Sequence, residues 1–204
     1  MKLILCNHDN AKLIVLAVLT IVCVSAFADA SNSKNDSIID IENMFVPSGW
    51  MGDGEYGQKY LTFSGEDRSN PHSSPVSTKV IYRFGPKRWA GIYWQNKANN
   101  WGDKKGTDYS KKGITHLSFW ARGETGNEMV EFKSGDINDP NKKFHDSFSE
   151  TTGRILLTKE WKEYKIDLTG ADLSSVIGGF CWVASADFNS GTSATFYIDD
   201  IAFK

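Results

Sequence analysis

The sequence predicts an all-β domain: an antiparallel β-sandwich, wound as a jelly roll, with long glycine- and aromatic-rich loops. Three observations carry that prediction. Ten short apolar segments are bounded by turn residues, several of them alternate with period two, and no segment keeps the period of a helix of several turns. The segments are 38–45, 60–63, 77–84, 90–95, 115–122, 128–133, 154–158, 162–168, 179–185 and 195–203. In 116–122, Leu117, Phe119 and Ala121 share one side, while His116, Ser118, Trp120 and Arg122 share the other. In 128–133, Val130 and Phe132 oppose Met129, Glu131 and Lys133. Residues 173–177 offer one helical turn at most. Strands with one apolar side need a second sheet to bury it, which is the logic of a sandwich.

The first 28 residues read as a secretory leader. A short polar stretch with Lys2 and Lys12 precedes an apolar run over 13–24, too short to span a bilayer comfortably, and Ala26-x-Ala28 fits a signal-peptidase site. Cleavage after Ala28 is expected, because Val22 is bulky where a lipoprotein site at Cys23 wants a small residue. The product, 29–204, is an exported periplasmic or extracellular chain of 176 residues: a loose lead over 29–37, then one domain over 38–204. Two of three cysteines leave with the leader, so Cys181 has no partner in its own chain and the fold stands without a disulfide. Removing Lys2, Lys12 and Asp9 leaves 21 basic and 24 acidic side chains, a net charge of -3 with histidines neutral. Such a surface has no general attraction for phosphate backbones, so no nucleic-acid partner is expected.

All seven tryptophans lie beyond the leader, several in or beside the long loops 46–59, 65–75, 96–113 and 134–152. A flat indole beside amides, carboxylates and arginines is the composition of a sugar site, since a pyranose presents C–H faces and a rim of hydroxyls. Trp50 and Asp53 in one loop, and Trp101 in another, are candidates for binding or for plugging the ends of the sandwich. Trp120 is the sharper candidate, because its strand side also carries Ser118 and Arg122. Tyr93, Gln95, Glu131 and Trp182 are expected to extend that face from other strands. Trp94 shares a side with Ile92 and reads as core.

A second constellation is acidic. Asp40 and Glu42 share one side of the first predicted strand, and Asp199-Asp200 interrupts the last. Carboxylates in apolar strands are costly unless paired or bound to a hard cation, and calcium accepts such oxygen donors. With the first and last strands adjacent, Glu42, Asp40, Asp199 and Asp200 would form one structural calcium site; the alternative is a solvated edge that discourages strand pairing.

Catalytic readings find less support. A glycosidase needs two carboxyl groups at a set separation, and Glu131 has only the turn residues Glu124 and Glu128 near it in sequence. His72, His116 and His145 lack companions at metal-ligand spacing, no serine sits in a nucleophile elbow, and no phosphate-cradling glycine loop opens a helix. Cys181, between Phe180 and Trp182, reads as a small buried hydrophobe.

Three stretches in order carry a family likeness: residues 113–123 (GITHLSFWARG), 161–168 (WKEYKIDL) and 196–203 (FYIDDIAF). With these, the chain from Ile38 onward resembles the galactose-binding-like jelly rolls that include many carbohydrate-binding modules of bacterial exported glycoside hydrolases. The resemblance implies two antiparallel sheets, a glycan site on a concave face or at the end loops, and a structural calcium near the termini held by Glu42 with Asp199 or Asp200. It implies noncatalytic glycan binding; an extracellular structural or protein-binding domain and a polysaccharide hydrolase or lyase are the alternatives, since this scaffold hosts several functions.

Overall fold

The computed structural model describes residues 38–204. The leader and the N-terminal lead lie outside the described residues. The chain runs β1 (Ile39–Asp40), α1 (Ile41–Met44), β2 (Val46–Gly52), a 3-10 segment (Asp53–Lys59), β3 (Leu61–Asp67), β4 (Ser77–Arg83), β5 (Trp89–Gln95), β6 (His116–Gly123), β7 (Met129–Gly135), β8 (Ser149–Leu156), β9 (Lys162–Asp167), β10 (Gly178–Ser185) and β11 (Ser193–Phe203). Every pairing is antiparallel. One sheet has the order β3-β4-β11-β6-β9 with β1 beside β11; the other has the order β2-β5-β10-β7-β8. Few sheet neighbours are consecutive in the chain, because it crosses repeatedly between layers, the winding of a jelly roll.

The core lies where the alternating apolar sides meet. Phe119 of β6 packs 4.5 Å from Phe132 of β7 and 5.2 Å from Phe180 of β10 between ring centroids, and Trp182 meets Phe196 edge-on at 5.1 Å. Rings at these spacings join the two sheets directly. In β11, Phe196 and Ile198 are buried, yet so are Ile201 and Phe203, which have the opposite parity. A register shift between Asp199 and Ala202, with Asp200 at φ 54°, resets the alternation. That bulge sets two adjacent carboxylates, Asp199 buried and Asp200 partly exposed, in an otherwise largely apolar strand.

Two predicted segments differ. The stretch read as one strand over 38–45 is a two-residue strand and a helical turn, since Asp40 accepts a hydrogen bond from the Asn43 N–H at 3.1 Å and caps the turn. The stretch read as loop from 46 begins with β2, whose Pro47 is tolerated because β2 is an edge strand. The first residues of β8, Ser149–Thr152, are polar on another sheet edge and gave no apolar signal.

Candidate functional site

Residues opposed across antiparallel strands point to the same side, so the registers define what each outer face presents. On the five-stranded sheet, Met51, Gly91, Val183, Glu131 and Arg154 form one row across all five strands. The next row is Gly49, Tyr93, Cys181, Lys133 and Thr151, and on the other flank Trp89 opposes Ser185.

The Tyr93 row is roofed. Trp101 stands edge-on to Tyr93 at 5.9 Å, and Ile137, Ile177, Cys181 and Phe144 complete a small apolar cluster. The roof is fastened through polar groups, the buried Gln95 and Asn100 and the partly buried Asp146. Gln95 accepts from the Ser48 hydroxyl at 2.9 Å and donates to the Asn100 carbonyl at 2.9 Å. Asp146 accepts from the N–H groups of Ile137 and Ile177, and burial lifts its carboxyl to about 6 against those bonds. Desolvation pushes the Cys181 thiol far above the ordinary thiol range, so it is inert.

The Gly91 row is open. Met129, Glu131, Arg154, Val183, Ser185 and Phe188 line a groove of about 140 Å³. Its walls are amphipathic: the Arg154 guanidinium stacks 3.6 Å from the Phe188 ring, and Phe188 is 43% exposed; Trp89, opposite Ser185 on the neighbouring strand, is 37% exposed. Glu131 accepts from the Thr151 hydroxyl at 2.9 Å. Among the described residues Arg154 has no ion pair or hydrogen bond through its guanidinium, so its donors are free. Gly91 lets the Met51 side chain pack down on the sheet beside the groove; a Cβ there would lie 2.8 Å from both Met51 Cε and the Trp182 carbonyl.

The single face expected to unite Trp120 with Tyr93, Gln95, Glu131 and Trp182 does not form. Trp120 and Arg122 belong to β6 of the other sheet, and Trp182 points inward with no exposure. Tyr93, Gln95 and Glu131 do share one side, but only Glu131 reaches the open groove. Asp53 is fully buried and structural, accepting from the Tyr82 hydroxyl at 2.7 Å and from the N–H groups of Gly85 and Lys87 at 3.0 and 2.8 Å. Trp50 closes the flank of the sandwich against Phe63, edge-on at 5.8 Å, beside a hollow of about 570 Å³. Trp89, Arg154 and Phe188 were not foreseen. Trp89 was legible, since the parity of Gly91 and Tyr93 extends one step to it; Phe188 sits in a turn that only the fold brings beside β8.

Solved structures share this architecture. A family 30 carbohydrate-binding module superposes with a TM-score of 0.52 at 17% identity, over 82% of this chain and 87% of that one. The family 30 module of the cellulosomal cellulase Cel9D-Cel44B of Clostridium thermocellum gives 0.51 at 17%, over 82% and 96%. The family 11 module of Clostridium thermocellum in complex with a β-1,3-1,4-mixed-linked tetrasaccharide gives 0.50 at 12%, over 81% and 93%. The likeness establishes the fold, a jelly roll of the kind found in bacterial carbohydrate-binding modules. No protein-family model matches the chain, and no curated protein matches it by sequence.

The acidic residues do meet at the termini. Pairing of β1 with β11 sets Asp40 opposite Ala202 and brings Glu42 beside the bulge. Burial first, then the carboxylates of Asp199, Asp200 and Asp40, push the Glu42 carboxyl up to about 8. Burial likewise raises Asp199. Glu42 lines a hollow of about 350 Å³ with Ser77 and Thr78, and the buried Ser77 hydroxyl has no hydrogen-bond partner. The donors are all hard oxygens, which fits calcium in kind. Their present arrangement is looser than a coordination sphere: among the described residues no three acidic, histidine or cysteine side chains converge at metal-holding geometry, and Asp200 is engaged by His72 and Ser73 at 2.6 and 2.5 Å.

Proposed function

We propose that this chain is a noncatalytic glycan-binding domain whose ligand lies along the open outer face of the five-stranded sheet. The observation that carries the reading is the groove along Val183 and Ser185, walled by the exposed ring of Phe188, with Arg154 and Glu131 as donor and acceptor and with Trp89 opposite Ser185 at its flank. An exposed ring offers a surface to the C–H face of a sugar, and charged groups beside it recognise hydroxyls. A glycan seated there supplies the partners that Arg154 lacks. The sandwich it shares with carbohydrate-binding modules supports the same reading. Export, by the leader read in 1–28, would bring the domain to extracellular or periplasmic polysaccharide; N-terminal sequencing of secreted protein tests that step.

Affinity electrophoresis against mixed-linkage β-glucan, xylan and agarose tests the binding. Retardation of the parent protein, relieved by Trp89→Ala and by Arg154→Ala, is expected; retardation untouched by both variants removes the site from this face.

A structural calcium held by Glu42, Asp199 and Asp200 is the second part of the proposal. Supporting it are the burial and mutual repulsion that push the Glu42 carboxyl up to about 8, and the unpartnered Ser77 hydroxyl in the same hollow. The cation would neutralise the cluster and tie the first strand to the last.

A further inference from the structure

The outer face of the six-stranded sheet carries a second aromatic platform, and the chain itself covers it. The imidazole of His72 lies on Trp120 with ring centroids 3.6 Å apart and planes 16° from parallel. Two positions along the same strand, Arg122 is only 8% exposed. Its guanidinium sits 3.7 Å from the Tyr197 ring and 5.4 Å from that of Trp161. It makes no ion pair among the described residues, and its buried Nε has no hydrogen-bond partner. A buried cation left with an orphan donor is costly, so the cover does not complete the chemistry of the surface beneath it.

That cover is the β3–β4 connection, residues 68–76. Among the described residues its backbone makes no backbone–backbone hydrogen bond. It is tied down through a few contacts. The His72 N–H donates to Asp199 at 2.8 Å, His72 Nδ1 lies 2.6 Å from the Asp200 carboxylate, the Ser73 hydroxyl donates to Asp200 at 2.5 Å, and the Trp161 indole N–H donates to the Asn70 carbonyl at 3.0 Å. A segment without ladder bonds opens more readily than the strands it joins.

His72 therefore does two things at once: it stacks on the indole and meets the Asp200 carboxylate with a ring edge. Those are the two contacts by which a pyranose is recognised. We infer that residues 68–76 are a removable strap over a second glycan platform, where a sugar ring replaces His72 on Trp120, Asp200 accepts from its hydroxyls and Arg122 donates to them. The ligand is a neutral sugar, because Asp199, Asp200 and Glu124 border the platform and repel an anion. The class of ligand rests on the glycan reading above, whereas the place is on the opposite sheet.

The test follows the indole N–H resonances of the full folded domain while the mixed-linkage β-1,3-1,4-tetrasaccharide is added in EDTA, which leaves Asp200 free of cation. Removing a competing cover raises apparent affinity by the population it releases, so His72→Ala is expected to bind at Trp120 about tenfold tighter than the parent. Ser73→Ala, which cuts one tether and keeps the stack, is expected to gain about two- to threefold. Adding Trp120→Ala abolishes either gain, and Trp89→Ala leaves it intact. Should His72→Ala fail to fold, Ser73→Ala decides. If the parent binds through Trp89 and neither strap variant gains at Trp120, the strap is structural and this inference falls while the first reading stands. Binding only through Trp120 overturns the first reading, and no binding in any variant overturns both.

Discussion

Glu42 gives the most discriminating prediction, because its environment couples a proton, the proposed cation and the join between the first and last strands. In the folded protein its carboxyl titrates near 8, raised by burial and then by Asp199, Asp200 and Asp40; in the unfolded chain the reference is 4.5. Between those values the folded state holds a proton that the unfolded state has lost. Stability contributed by this group is thus fully present below pH 4.5 and is lost as pH rises through about 8. At about 1.4 kcal/mol per pH unit, the full gap corresponds to about 5 kcal/mol, an upper bound for a half-buried group that relaxation and water will reduce. Urea denaturation in EDTA from pH 5 to 8.5 measures it. Asp146, Asp199 and His116 add their own slopes, so the comparison is with Glu42→Gln, which keeps those groups and removes this one. The variant is expected to match the parent near pH 5 and to exceed it by several kcal/mol at pH 8.5. Calcium is expected to raise the parent at pH 8 more than at pH 5, since it competes with the proton, and to do little for the variant. Parallel pH profiles for parent and variant would refute the electrostatic account of the cluster.

Other expectations concern the groove and the frame beneath it. Trp89→Ala and Arg154→Ala should each weaken glycan binding by about 1–3 kcal/mol in calorimetric titration, with a melting temperature close to the parent's because both side chains are exposed. Gly91→Val should both destabilise the sheet and abolish binding, as its side chain must enter space held by Met51 and the Trp182 carbonyl; a stable variant that still binds would show that the groove does not depend on Gly91. Asp53→Ala leaves the Tyr82 hydroxyl and two backbone N–H groups without their acceptor. A loss of about 2–4 kcal/mol in chemical denaturation, with affinity for glycan retained, is the expected outcome.

The fold was legible because period two survives wherever a strand is half-buried by a partner sheet: β6, with Leu117, Phe119 and Ala121 inward, needed no structure to be recognised. Legibility failed at edges. Pro47 and the polar start of β8 face little core, so no burial pattern marked them as strands. The adjacency of the first and last strands was also legible, and Glu42 does sit beside Asp199 and Asp200. Which face a tryptophan belongs to was not, because parity says that Trp120 and Leu117 point opposite ways but not which sheet they lie in. Sheet membership depends on strand order, a property of contacts between residues far apart in sequence.

The consequence for function is that identical local patterns acquired opposite fates. Tyr93 and Trp120 both stand on outward sides of alternating strands. The first was roofed by Trp101 and the second by His72, yet the two roofs differ in kind. Over Tyr93 lies an apolar cluster locked by Gln95, Asn100 and Asp146, with every one of those polar side chains bonded to neighbouring groups. Over Trp120 lies a strap without backbone–backbone hydrogen bonds, resting on a partly exposed carboxylate and leaving Arg122 incompletely satisfied. The difference that matters is charge: the unpartnered donor under the strap belongs to a guanidinium, whereas the charged and amide groups around the Tyr93 cluster are bonded. The groove beside Arg154 and the strapped Trp120 platform are therefore the surfaces proposed for a ligand, and the Tyr93 cluster is not.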